Sequence, residues 1–114
     1  MDDNDEIIRT AMLGWYPFKD ALESRLAVGV ETYGHGVRVN DDTTQWGTKT
    51  DSWLEMGLEE IDDLAIYVIA QLIRRVNDSS MMKISTTKMN TYAGILKDLR
   101  DVRRKIMDLM ENNG

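Results

Sequence analysis

Cysteine is absent from this sequence, and proline, histidine and phenylalanine each occur once in its 114 residues. Without cysteine there is no disulfide, no thiolate metal site and no sulfur nucleophile, a composition that fits a reducing compartment. The lone histidine, His35, lies between Gly34 and Gly36, which suits a turn, and no second imidazole supports a zinc site. A single proline leaves most of the chain free of helix breakers. No run is long and apolar enough to span a bilayer, and the opening Met1-Asp-Asn-containing acidic stretch to Glu6 is the reverse of a basic secretion signal. Positive charge is also in deficit, with 14 Lys and Arg against 20 Asp and Glu and a net charge of -6. That balance disfavours broad nucleic-acid binding. The expectation is a cytoplasmic protein with neither a membrane nor a nucleic acid as partner.

What is present suits one globular domain over residues 1–114. Hydrophobic residues make up 42% and charged residues 30%, as in ordinary folded proteins. Strand-like alternation is scarce, so the predicted fold class is all-α. Helices are expected over about 4–13, 17–33, 52–76 and from Thr86 or Thr87 to about 110, with Pro17 in the first turn of the second. Residues 34–51 form a long polar loop bearing Arg38, Trp46 and Lys49. Loops of that length in small domains are usually functional. Ser52-Trp-Leu-Glu55 has the spacing of a capping box at the start of the third helix.

The third helix carries the strongest signal. Glu55, Glu59 and Asp63 recur every four residues and stack on one face, with Glu60 and Asp62 beside them. The same face continues as Ile66, Ala70 and Ile73. A face that turns apolar is expected to be covered, so its carboxylates look toward an interior or a cleft. Packed carboxylates repel and resist desolvation, and hard Mg²⁺ or Mn²⁺ ions relieve both problems. The plainer explanation stays open: acids favour the first turns of a helix through its dipole. Two further seams stand out, Leu54, Leu58, Ile61, Ala65, Val68 and Leu72 on this helix and Ile95, Leu99, Val102, Ile106 and Leu109 on the last. Together they exceed what one small bundle buries. A bundle of about four helices, completed by self-association into a homodimer or homotetramer, is expected.

Glu59-Glu60-Ile-Asp62-Asp63-Leu-Ala-Ile-Tyr67-Val-Ile-Ala-Gln-Leu resembles the second acidic motif of the MazG-like all-α nucleoside triphosphate pyrophosphohydrolases, Glu-Glu-x-x-Asp before an apolar helix. Glu-Thr-Tyr-Gly at 31–34, with Trp-Leu-Glu-Met at 53–56, is similar to short phage-encoded members in particular. The resemblance spans roughly residues 15–76. It implies Mg²⁺- or Mn²⁺-dependent cleavage of a nucleoside triphosphate to the monophosphate and pyrophosphate, with Glu60, Asp63 and Glu31 as metal ligands. Val28 stands where a further Glu of the family's first motif belongs, so Glu55 or Glu59 is left to supply the missing ligand or the general base. The resemblance also implies a role in adjusting nucleotide pools in a host cytoplasm, with a purine triphosphate such as dGTP or GTP as substrate.

Candidate substrate contacts are Arg38 and Lys49 for phosphates, and Trp46 and Tyr67 for stacking on a base. Lys88 and Asn90, in Lys88-Met-Asn90-Thr-Tyr92, are similar to a Lys/Asn/Tyr element that follows the second motif in the family. Asp62 is expected either to hydrogen-bond at the rim of the site or simply to be solvated, and the cations of the last helix, Arg103 among them, to form solvated intrahelical pairs with the interleaved Asp98, Asp101 and Asp108. Two other functions fit the same residues. One is a dUTPase-like all-α hydrolase. The other is a non-enzymatic helical dimerisation module whose acids only cap and solubilise.

Overall fold

A computed structural model describes residues 3–15, 17–78 and 84–111. Among the described residues all regular structure is helical, in agreement with the predicted class. Residues Met1–Asp42 and Thr43–Gly114 form two compact units.

In the first unit, α1 (Asp5–Ala11) is followed by a 3₁₀ turn, Leu13–Trp15, and then α2 (Lys19–Tyr33). The expected first helix therefore stops early, where Gly14 lies within the tightened turn. Pro17 precedes α2 instead of opening it, and Phe18 takes the N-cap position with no side-chain hydrogen bond. The ring of Phe18 meets Trp15 edge-on, with centroids 6.2 Å apart. Gly34 ends α2 at φ 78°, a left-handed conformation that costs glycine little, and its N–H donates to the Val30 carbonyl. Arg9 of α1 grips Glu23 of α2 through Nε at 2.9 and 2.8 Å from the two carboxylate oxygens.

An acidic strap joins the start of this unit to the segment after α2. Gly36 N–H donates to Asp3 Oδ2 at 3.0 Å, Val37 N–H to Asp5 Oδ1 at 2.7 Å and Val39 N–H to Asn4 Oδ1 at 3.0 Å. Asn4 N–H returns a bond to the Val37 carbonyl at 2.6 Å. A Cβ on residue 36 would lie 2.6 Å from Asp5 Oδ2, so only glycine admits this approach. The amide of Gly36 and the nearby Arg38 guanidinium hold the Asp3 carboxyl below its ordinary value of 3.8. A depressed carboxylate stabilises the fold fully above its unfolded pKa and loses that contribution as pH falls through the folded value. Hydrogen exchange should therefore show the Gly36 amide protected at about pH 5 and released toward about pH 2. Asp3→Ala should release it already at neutral pH.

In the second unit a 3₁₀ turn, Thr44–Trp46, leads to α3 (Ser52–Asn77) and α4 (Thr86–Glu111). The expected capping box does not form. Asp51 is the N-cap residue, and its Oδ1 is shut from solvent with no hydrogen-bond partner among the described residues. The positive end of α3 compensates that charge. Ser52 instead shares a buried hydroxyl hydrogen bond with Thr43. Glu55 turns back to the preceding loop and accepts from Thr48 N–H and Thr48 Oγ1, both at 2.8 Å. Ser85 supplies the start of α4, its Oγ accepting from Lys88 N–H at 3.2 Å.

α3 and α4 pack against each other. Asp62 meets Arg103, while Gln71 and Arg75 share a cleft with Lys88 and Tyr92, so the two helices run antiparallel. Every residue of the expected α3 seam is at least half-buried, and Leu58 is buried. The expected α4 seam is only partly right. Leu99 and Ile106 are half-buried, but Ile95, Val102 and Leu109 are exposed. The sheltered α4 stripe runs Tyr92, Leu96, Leu99, Arg103, Ile106 and Met110, a face rotated toward the ion pair that Arg103 makes. Leu58→Ala should cost about 2–3 kcal/mol in urea unfolding, the range for truncating a well-packed leucine. Val102→Ala should cost well under half of that in the isolated chain, because its side chain is already wet.

Candidate functional site

The carboxylates of α3 separate by their angle around the helix. Asp62 lies nearest the seam with α4, whereas Glu59, Glu60 and Asp63 point away from it. Asp62 is accordingly taken: Arg103 donates from Nε at 2.8 Å and from Nη2 at 3.3 Å. This hydrogen-bonded guanidinium holds the Asp62 carboxyl below its usual range and makes Arg103 a weaker acid. Asp62, expected to hydrogen-bond at the rim of the site, makes its bonds across the helices instead, to Arg103. Intrahelical pairing accounts for two other α4 cations, Lys97 and Arg104, both on Asp101 at 3.2 and 3.3 Å.

Glu59, Glu60 and Asp63 are exposed, and no described residue bonds to their carboxylates. They present three free hard-oxygen donors within one and a half turns. Glu55, also named as a ligand or base, is half-buried with both oxygens on Thr48. Its place in the ladder holds, but its lone pairs are already engaged by the loop. Among the described residues no three Asp, Glu or His side chains already converge as a metal-sized cluster. Glu31 is exposed on the last turns of α2, in the first unit, whereas the other four acids belong to the second.

The substrate candidates divide in the same way. Arg38 belongs to the first unit and donates from Nε to Asp3 at 3.2 Å, so its charge is already matched. In the second unit Trp46 ends the 3₁₀ turn with 46% of its surface exposed, and Lys49 is exposed two residues beyond Gly47. Tyr67 stands one turn past Asp63 on α3 and is 66% exposed, open to a ring stacked on it. Lys88 and Asn90 are exposed at the opposite end of the hairpin. At 1.5 Å per residue, Arg75, which shares the Lys88 cleft, is about 18 Å along α3 from Asp63. Within one chain Lys88 and Asn90 therefore do not join the carboxylates. Sequence reasoning missed Thr48 and Arg103. A hydroxyl residue seven positions before Glu55 leaves no periodic signal, and Arg103 was expected to pair with an acid of its own helix, a spacing that says nothing of Asp62 across the seam.

The chain matches no family model, no curated protein and no solved structure in comparison with each.

The Thr48–Glu55 latch can be tested apart from any chemistry. Glu55→Gln keeps one acceptor oxygen, and Glu55→Ala keeps none. The alanine variant should speed hydrogen exchange at the Thr48 amide by roughly tenfold or more, while the glutamine variant should shift it much less.

Proposed function

We propose that this chain is a MazG-like, Mg²⁺- or Mn²⁺-dependent nucleoside triphosphate pyrophosphohydrolase that works as a self-associated helical assembly. One observation carries the reading. The free carboxylates of α3 lead, on the same face, into Ile66, Ala70 and Ile73, and the apolar part of that face is uncovered: Ile66 is 60% and Ile73 53% exposed. Ile69 and Val76 widen the stripe at 42% and 62%. Large apolar side chains in a continuous exposed row mark a surface that another surface covers. A second copy docking there would partly desolvate Glu59 and Asp63, raising the cost of leaving them uncompensated.

The donor set suits a hard divalent cation, since Glu59, Glu60 and Asp63 offer carboxylate oxygens with no competing partner among the described residues. In this reading Glu60 and Asp63 hold the ion. Such an ion neutralises phosphate charge and makes a bound water more acidic. Glu59 is the freer choice for general base, because Thr48 already occupies Glu55. Tyr67, exposed one turn on, offers a face to the base, and a purine triphosphate is the substrate the resemblance favours. Trp46 and Lys49 remain candidates for the base and phosphates, in a loop anchored at Thr48. The non-enzymatic dimerisation module is the second reading, and the same uncovered stripe favours it. A dUTPase-like activity differs from the first only in base and sugar.

A pyrophosphate-release screen over the common ribo- and deoxyribonucleoside triphosphates, with Mg²⁺ or Mn²⁺, separates the readings. Turnover that Glu60→Gln and Asp63→Asn each reduce by at least about a hundredfold is expected, with helicity unchanged. Removing one of several repelling charges should leave metal-free stability equal or higher. Full activity in either variant removes the metal assignment, and no turnover on any triphosphate leaves the module. Sedimentation at micromolar concentration should give a dimer or larger species, and Ile66→Asp with Ile73→Asp should shift it toward monomer. A wild-type chain that sediments as a folded monomer overturns the assembly.

A further inference from the structure

A second cluster lies at the other end of the hairpin. Gln71 and Arg75 of α3 and Ile84, Lys88 and Tyr92 line a cleft of about 300 Å³. That is the lower end of the usual range for small-molecule sites, roughly 300–1,000 Å³. Arg75 is half-buried in the last turn of α3, Lys88 is exposed in the first turn of α4, and Tyr92 is half-buried one turn further on. Neither cation has an ion pair or a side-chain hydrogen bond with any described residue.

Two unmatched cations converging on one cleft repel each other. Arg75 does complement the negative end of α3, but Lys88 sits at the positive end of α4, where the dipole opposes a cation. An anion in the cleft reverses both penalties. The donor set also has the right form: a planar guanidinium fork, a mobile ammonium, an amide and a phenol around one opening. Ile84 and the Tyr92 ring make one wall apolar, which a bare inorganic ion would not use and a small organic phosphate would.

We propose that this cleft is a binding site for a phosphoryl anion, separate from the carboxylates of α3. Its separation from Asp63, about 18 Å along the helix, is too great for both to hold one phosphate group of a single ligand. No divalent ion is needed, because the protein's own cations supply the charge. The inference therefore does not depend on the hydrolase reading.

The test is titration of the full chain in EDTA-containing buffer, followed by backbone NMR, with inorganic phosphate, pyrophosphate and a nucleoside monophosphate as probes. Saturable shifts at Gln71, Arg75, Lys88 and Tyr92 are expected for phosphate-bearing probes and not for chloride at equal ionic strength. Arg75→Gln and Lys88→Gln should each weaken binding roughly tenfold, the loss of one charge-assisted hydrogen bond. Unchanged helicity by circular dichroism shows that each variant is folded. Asp63→Asn should bind as wild type does. Tighter binding of the nucleotide than of phosphate assigns the apolar wall to an organic group, and Tyr92→Ala should then remove the difference. Equal affinities assign free inorganic phosphate or pyrophosphate as the ligand. Absence of saturable shifts in this cleft, or binding that survives the double variant R75Q/K88Q, overturns the proposal.

Discussion

The second unit depends on the packing of α3 along α4. Leu54, Leu58, Ile61, Ala65, Val68 and Leu72 form the α3 side of that contact, and the bond between Asp62 and Arg103 closes it where the acids begin. This contact orients every charge on α3. It turns Asp62 to the partner helix and leaves Glu59, Glu60 and Asp63 to solvent. At the far end it brings Arg75 of one helix beside Lys88 of the other. The exposed ion pair adds little stability by itself, because solvent screens it and two long side chains are ordered to make it. Its effect is on register: slipping α4 by one residue would carry Arg103 off Asp62 and turn Leu99 and Ile106 out of the seam.

A two-helix contact shelters only one stripe of each helix. Leu58 is the buried hydrophobic of this unit among the described residues, while Ile66, Ile69, Ile73 and Val76 are wet. Burying a side chain of this kind is worth about 1.5–3 kcal/mol, so the uncovered row is a large unused driving force. The charges select how a second copy would meet it. Parallel pairing of two α3 helices would set Glu59, Glu60 and Asp63 against their own images, like on like. Antiparallel pairing sets each acidic head near the other copy's Arg74, at the end of α3 where that cation lies. Apolar burial and charge then act in the same direction only in the antiparallel arrangement.

Periodicity made the α3 seam and the helix class legible, because both follow from local spacing at 3.6 residues per turn. The end of α3 near Asn77 and the start of α4 near Thr86 were legible from turn and cap chemistry, the Asn-Asp-Ser-Ser run at 77–80 and the threonines at 86–87. The capping box was not. Ser52 and Glu55 have the right spacing, but Thr43 and Thr48 compete for them from across the loop, and tertiary partners outrank the local pattern. The α4 seam was misread at Ile95, Val102 and Leu109 because an apolar count treats Arg103 as an interruption. Its long stem can lie along the seam while the guanidinium reaches Asp62. The strap from Asp3 to Asp5 was invisible, since an acidic start reads as solubility until its amide donors at 36–39 are known.

The same limit explains why the acidic ladder alone never fixed a site. Spacing places Glu55, Glu59 and Asp63 on one face, but it cannot say which lone pairs are already spent. Glu55 and Asp62 are the two acids whose angle or position brings them within reach of a donor, Thr48 in the loop and Arg103 across the seam. Glu59, Glu60 and Asp63 point where no described residue donates to them. Three carboxylates so placed are tolerable in water, which screens them. They become expensive once the adjoining apolar row is covered and water withdraws. Covering that row and supplying a cation are therefore coupled: whatever buries Ile66 and Ile73 also raises the affinity of Glu59 and Asp63 for positive charge.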